Sequence, residues 1–278
     1  MKIIHWIADM DRRIIYTLLF ILTVLPLISP LGLPMAIGEH TQMTFDYIDN
    51  MQPGSIAVVS TDYAPGIGAE LYPQTKAMTR HLMQNNVKII ALAFKMTGQQ
   101  FADKVMKENA DEFEYEYGVD YVVLPYRAGE ETAIAGFGKD PVGLYAEDAY
   151  GNPVSDLQLM NEIHTIDDID LIICYTNWEE ARWYIQQVQK PYGTPVICGA
   201  TAITYPGMIP YVSTGQLVGI LGGARGGAEY EQLLGQPGKA IASMDAQSMV
   251  HGFVILLILI ANLSYFARKS KPEVEVAS

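Results

Sequence analysis

Six short apolar runs, bounded by turn-forming residues and separated by amphipathic segments, limit what this chain can become. They read SIAVVS at 55–60, VKIIALAF at 87–94, DYVVLP at 120–125, DLIICY at 170–175, PVIC at 195–198 and LVGIL at 217–221. Runs of this length that are nearly apolar throughout, rather than alternating, suit strands covered on both faces. A helical period lies between them. It carries Leu71, Met78, Leu82 and Met83 at 69–85, and Phe101, Val105, Met106 and Phe113 at 98–117, with a further helix at 178–189. Such alternation with right-handed crossovers predicts an α/β fold, a doubly wound, mostly parallel, Rossmann-like sheet. The rhythm breaks at 127–165, a Gly-, Pro- and acid-rich insertion of the kind that carries function more often than core loops do.

Two longer apolar runs flank this region. Residues 14–37 are interrupted only by Thr17, Thr23 and Ser29, apart from prolines and glycines, and 249–266 only by His251, Asn262 and Ser264. Each approaches the ~20 residues that cross a bilayer. The expected layout is a cytoplasmic amphipathic start at 1–13, a transmembrane helix at 14–37, an extracytoplasmic α/β domain at 40–245, a second transmembrane helix at 248–267 and a cytoplasmic tail at 268–278. Lys2, Arg12 and Arg13 before the first span, and Arg268, Lys269 and Lys271 after the second, put both termini inside under the positive-inside rule. A retained anchor fits better than a cleaved signal peptide, because Pro34-Met35-Ala36 is a poor cleavage site and Asp9 and Asp11 interrupt the charged start. Pro26, Pro30 and Pro34 recur every four residues and should end the first helix early, leaving 30–37 irregular and in want of protein neighbours.

Charge excludes one class of partner. The segment between the spans holds 12 basic residues against 27 acidic ones, a net of −15. A surface this acidic repels nucleic acid. Cys174 and Cys198 sit in apolar strand-like runs, where a buried free thiol is commoner than a bridge.

In an open parallel sheet, ligands bind beyond the carboxyl ends of the strands. Those ends carry Asp62 and Tyr63, then Lys95, Arg127, Asn177 and Trp178, and Thr201. The rim closes on Gly222, Gly223, Arg225, Gly226 and Gly227, in a strand–glycine turn–helix layout. This mixture suits a small anionic ligand held by Arg127, Arg225 and backbone N–H groups at a helix start. Each residue also has a plainer reading. Asp62 and Asn177 are common turn formers, Trp178 suits packing at a helix start, and the glycines suit close packing of a helix or subunit.

Signatures of catalysis and of cofactors are missing. The glycine spacing fits neither G-x-G-x-x-G with a following acid nor G-x-x-x-x-G-K-[ST], and there is no G-x-S-x-G elbow and no zinc spacing. Asp62 and Glu70 could pair for acid/base work, although a loop acid followed by a first-turn helix acid is the commoner situation. His164 to Asp170 is acidic enough for a cation, but a Thr or Asp cap before the fourth strand explains it more simply. No metal and no cofactor is expected.

Three stretches, DYAPG…AELYP, YPGMIPYVSTGQLVGILGGARGGAEYEQLLG and MDAQSMVH, resemble a group of uncharacterised prokaryotic membrane proteins with two terminal spans and an extracytoplasmic α/β domain. The resemblance implies the same layout and brings no activity with it. The expected function is therefore that of a non-enzymatic, membrane-anchored module. It would bind a small anionic ligand or a partner subunit, as a homo-oligomer or beside other membrane subunits. The alternative is a membrane-bound, hydrolase-like enzyme working at the sheet's carboxyl edge.

Overall fold

A computed structural model describes residues 11–177 and 179–269. The amphipathic start, the last residues of the tail and Trp178 lie outside the described residues. Two compact units emerge: Pro34–Ala240, and a second one formed from the terminal segments on either side of it.

Pro34–Ala240 is built on six parallel strands. These are β1 (Ile56–Asp62), β2 (Lys88–Leu92), β3 (Tyr121–Val123), β4 (Leu171–Thr176), β5 (Val196–Ala200) and β6 (Gly219–Gly222), in the order β3-β2-β1-β4-β5-β6. All seven residues of β1 and all six of β4 are buried, which is why these runs are apolar on both faces. The period of two is plain in β1. Val58 joins one core with Ile90, Val122, Ile172 and Ile220, whereas Ala57 and Val59 join the other with Ile89, Val123, Ile173 and Leu221.

Helices α3 (Gly68–Gln84), α4 (Gln99–Ala110) and α9 (Gly223–Leu233) serve the second core, together with α2 (Glu39–Asp49). The first core is covered by α5 (Glu130–Lys139), the short α6 (Gln158–Asn161), α7 (Glu180–Tyr184) and α8 (Tyr205–Ser213). Winding outward from β1 in both directions places the crossovers on opposite faces and leaves a switch point between β1 and β4. The doubly wound α/β reading thus holds.

Several local expectations change. The strands shift by one to two residues, so Asp62 ends β1 instead of opening a loop. The insertion contains α5, so the β3–β4 crossover keeps its helix. The helix expected at 178–189 begins at Glu180 and passes into a π turn at Ile185–Gln189. Neither α2 nor α8 is predicted by the apolar pattern. Helix α2 lies along β6, where Thr44 Oγ1 accepts the N–H of Ile220 at 2.8 Å. The expected glycine turn does not exist as a loop: Gly222 is the N-cap of α9, and Gly223, Gly226 and Gly227 are helical and buried.

In the terminal unit, α1 (Arg12–Ile28) is 17 residues long with Pro26 inside it. At roughly 1.5 Å per residue it spans about 25 Å, short of the ~30 Å hydrocarbon core. The chain is then irregular from Pro30 to Gly38, as the proline spacing predicts. Asp245 organises part of it: Oδ2 accepts the N–H of Leu31 at 2.7 Å and of Gly32 at 2.9 Å, and Oδ1 that of Leu33 at 3.0 Å. Asp245 belongs to α10 (Lys239–Lys269), which starts nine residues before the expected boundary at 248. Among the described residues, the one helix long and apolar enough to cross a membrane is Lys239–Phe266.

Candidate functional site

The switch point gathers polar groups that the strand ends supply. Asp62, at the last position of β1, is fully buried and well partnered. Its Oδ1 accepts the N–H of Phe94 at 2.6 Å and of Lys95 at 3.2 Å, and its Oδ2 accepts the Ser60 hydroxyl at 2.5 Å. Tyr184 donates to Ser60 Oγ at 2.9 Å, and the Cys174 thiol lies 3.9 Å from Asp62 Oδ2. Burial raises the Asp62 carboxyl to about 7. The bond from Ser60 opposes the shift, the charge of Glu180 adds to it, and the two backbone N–H groups oppose it. Glu180, on the first turn of α7, accepts from Thr176 and from Lys95 Nζ, the latter at 3.1 Å.

Above this buried network stands Tyr145, from the Gly-rich insertion. It is 6% exposed, and its hydroxyl has no hydrogen-bond partner. Burial pushes its pKa up, Asp62 pushes the same way, and Arg127 pulls it down, so the phenol stays protonated between an acid and a permanent cation. Asn177 Oδ1, at the end of β4, is likewise buried without a partner. Buried polar atoms left unpaired by the protein are uncommon and call for a ligand or water.

The remaining predicted residues do not form one ring. Tyr63 is core: it is fully buried, stacked on Phe101 with centroids 4.6 Å apart, its hydroxyl 3.2 Å from Thr75 Oγ1. Thr201 joins Thr204 at 3.0 Å, and Thr204 donates to the Asn177 carbonyl, tying the ends of β4 and β5 together. Glu70 does not pair with Asp62; its carboxylate accepts the Ala202 N–H at 2.9 Å. His164 to Asp168 is the expected capping turn, with Asp168 Oδ2 accepting the N–H groups of His164 and Thr165. Cys174 and Cys198 face each other across β4 and β5 as buried free thiols. Among the described residues no group of three or more His, Cys, Asp or Glu side chains could hold a metal ion.

Arg127 follows β3 and Arg225 follows β6, the two edges of the sheet. Five strand spacings of roughly 4.8 Å separate those edges by about 24 Å. That separation of their strands argues against one small ligand held by both arginines. Arg225 is also engaged, its Nε donating to Glu229 Oε1 at 2.7 Å. Glu229 is nearly buried and also accepts from Gly38 N and Thr41 Oγ1. A pocket of about 290 Å³ does open here between Gly38, Tyr205, Gly222, Gly226 and Glu229. The cation that lines it, Arg225, is already paired with Glu229.

The glycines of α9 answer to packing. A Cβ on Gly222 would sit 2.6 Å from the Tyr205 ring, and one on Gly227 would sit 3.2 Å from Gln74. Gln74 in turn donates to the carbonyls of Ala200 and Gly223, locking α3 to the end of β5 and the start of α9.

No family model and no curated protein matches the chain. A solved structure that does match, the crystal structure of AibC, shares 11% sequence identity over 81% of this chain, with a TM-score of 0.32. The chain spans about half of that one, 49%, and a likeness at this level adds nothing to the fold described above.

Proposed function

We propose that this chain is a membrane-anchored α/β binding module. In this reading it takes a small anionic ligand at the switch-point end of its sheet and works within a membrane assembly rather than as an enzyme. The observation that carries the proposal is the Tyr145 hydroxyl, buried and unpartnered, under the influence of Arg127 on one side and Asp62 on the other. Lys95 and Arg127 supply positive charge, Tyr145 a donor and Asn177 an acceptor. The basic residues outside both apolar runs support an extracytoplasmic domain with both termini inside. Exposed Ile14, Phe20, Leu25 and Ile28 on the short α1 support burial against lipid or neighbouring helices, of further copies or other subunits.

The test is equilibrium binding to the detergent-purified chain, with small phosphates and carboxylates as probes. Binding that Arg127→Ala and Tyr145→Phe each weaken about tenfold supports the reading, since a charge-assisted hydrogen bond is worth roughly 1.5–3 kcal/mol. Binding unaffected by both changes sinks it.

One observation favours the enzymatic alternative. Asp62 is raised to about 7, by burial above all, and the charge of Glu180 at the switch point adds to the shift. Turnover of a bound ester or phosphate that Asp62→Asn abolishes would favour the enzyme.

A further inference from the structure

A second cavity lies away from the sheet edge, on the outer side of α3. It encloses about 560 Å³ between Tyr72, Lys76 and Arg80 of α3, Glu108 of α4, and the segment from Leu234 to Lys239 that leads into α10. Two of its polar atoms, Arg80 Nε and Gln236 Oε1, are buried without a hydrogen-bond partner, and the Tyr72 hydroxyl is buried beside the Glu108 carboxylate. Buried polar atoms that the protein leaves unpaired in a cavity wall call for a ligand or water.

The chemistry of these atoms is complementary to a particular kind of molecule. Tyr72, Lys76 and Arg80 are spaced four apart, one above another on a single face of α3, a row about 12 Å long. The terminal nitrogens of Arg80 are taken by Glu112, so its Nε–H points to a further acceptor. Lys76 Nζ donates to Glu108 at 2.8 Å and keeps two donors in reserve. Burial, and then a hydrogen bond to Glu108, keep the Tyr72 phenol protonated, and its oxygen can still accept. Gln236 presents an acceptor. The opposite wall is fixed by Glu231, which accepts the N–H groups of Gly238 at 3.0 Å and of Ala240 at 3.2 Å. The Tyr72 ring, Pro73, Ala77, Leu234 and Pro237 supply apolar surface between the polar points.

We infer that this cavity binds an elongated, hydroxylated phosphate ester. Its phosphate lies against Arg80 Nε and Lys76, one hydroxyl meets Tyr72, and another donates to Gln236 Oε1. A soluble glycerol phosphate and the headgroup of a glycerol-bearing phospholipid share this chemistry. The inference does not rest on the sheet-edge site, from which it differs in every residue.

The full chain in neutral detergent is titrated with glycerol 3-phosphate and with inorganic phosphate, and floated with vesicles of phosphatidylglycerol or of phosphatidylcholine. Saturable binding of glycerol 3-phosphate, or selective flotation with phosphatidylglycerol, is expected at affinities at least tenfold above inorganic phosphate. Binding in the first arm alone identifies a soluble ligand, and in the second alone a headgroup. Tyr72→Phe should weaken binding about tenfold, because the ligand hydroxyl loses its acceptor. Gln236→Ala, at a half-buried position, gives the same readout should the tyrosine variant fold poorly. Arg127→Ala should leave this binding intact. The inference fails if neither probe binds saturably, if Tyr72→Phe and Gln236→Ala both bind like wild type, or if Arg127→Ala is the variant that loses binding.

Discussion

Arg225 Nε meets Glu229 Oε1 at 2.7 Å, an arginine with a 64% exposed side chain holding a carboxylate whose own side chain is 5% exposed. The pair is one helical turn long, and it also fixes the chain entering α2, because Glu229 Oε2 accepts from Gly38 and Thr41. Arg225→Ala leaves a buried carboxylate with two neutral donors. Because the arginine is largely solvated, the expected cost is modest, about 1 kcal/mol of unfolding free energy in a urea titration. A variant as stable as wild type would mean that water replaces the guanidinium at no cost.

Asp62 predicts a pH dependence of stability with an unusual sign. Its carboxyl titrates near 3.8 when free and near about 7 in the fold. Between these values the folded chain holds a proton that the unfolded chain has lost. The contribution is therefore fully present below about pH 4 and is lost as pH rises toward 7, by on the order of a few kcal/mol. Asp62→Asn keeps the acceptor for Phe94 and Lys95 and should flatten this slope in denaturation curves between about pH 4 and about pH 7. An unchanged slope would assign the effect elsewhere.

Gly98 packs against the end of β1 so closely that an added Cβ would sit 1.7 Å from the Thr61 carbonyl oxygen. Its φ is −76°, which any residue adopts, so only the collision opposes a side chain. Gly98→Ala should cost at least about 3 kcal/mol, read as a fall in melting temperature or failure to accumulate. A well-folded alanine variant would show that β1 and the start of α4 can separate.

Asp245 is almost fully buried, and three consecutive backbone N–H groups depend on it. In Asp245→Ala the amides of residues 31–33 should exchange with solvent about tenfold faster than in wild type, while those of β1 and β4 remain unchanged. Equal exchange in both proteins would remove the carboxylate from its organising role.

The topological reading has a direct check. A reporter inserted at Gly151, where the backbone is left-handed and no atom crowds the position, should be active only outside the cytoplasm. One fused after Ser278 should be active only inside. A cytoplasmic signal from Gly151 would overturn the compartment.

Much of this arrangement is legible in the sequence, and the illegible part has physical causes. Apolar runs locate every strand, because residues such as Val58 and Ile173 must satisfy cores on both faces. The same criterion misses α2 and α8. Helix α2 buries threonines and only one isoleucine, and α8 carries Pro206 and Pro210, so neither shows the expected stripe. Asp62 looks like a loop acid because a charge at a strand end is ordinarily solvated. Ser60 shares its face of β1, but Phe94 and Lys95, which also make its burial tolerable, come from beyond β2, where spacing does not reveal them. Arg127 and Arg225 appear as one clamp until the strand order separates them. Tyr145 lies in the insertion flagged as unusual, yet nothing in GLYAED marks its hydroxyl as unpaired.

The Thr44 side chain has a consequence beyond local packing. Strand β6 is an edge of four residues, and β3, the opposite edge, has only three. Edge strands expose unpaired N–H and C=O groups to which a further strand can add, and short edges limit this. With Thr44 Oγ1 occupying the N–H of Ile220, that end of the sheet has little to offer an incoming backbone. A second copy therefore finds little on β6 with which to extend the sheet on that side.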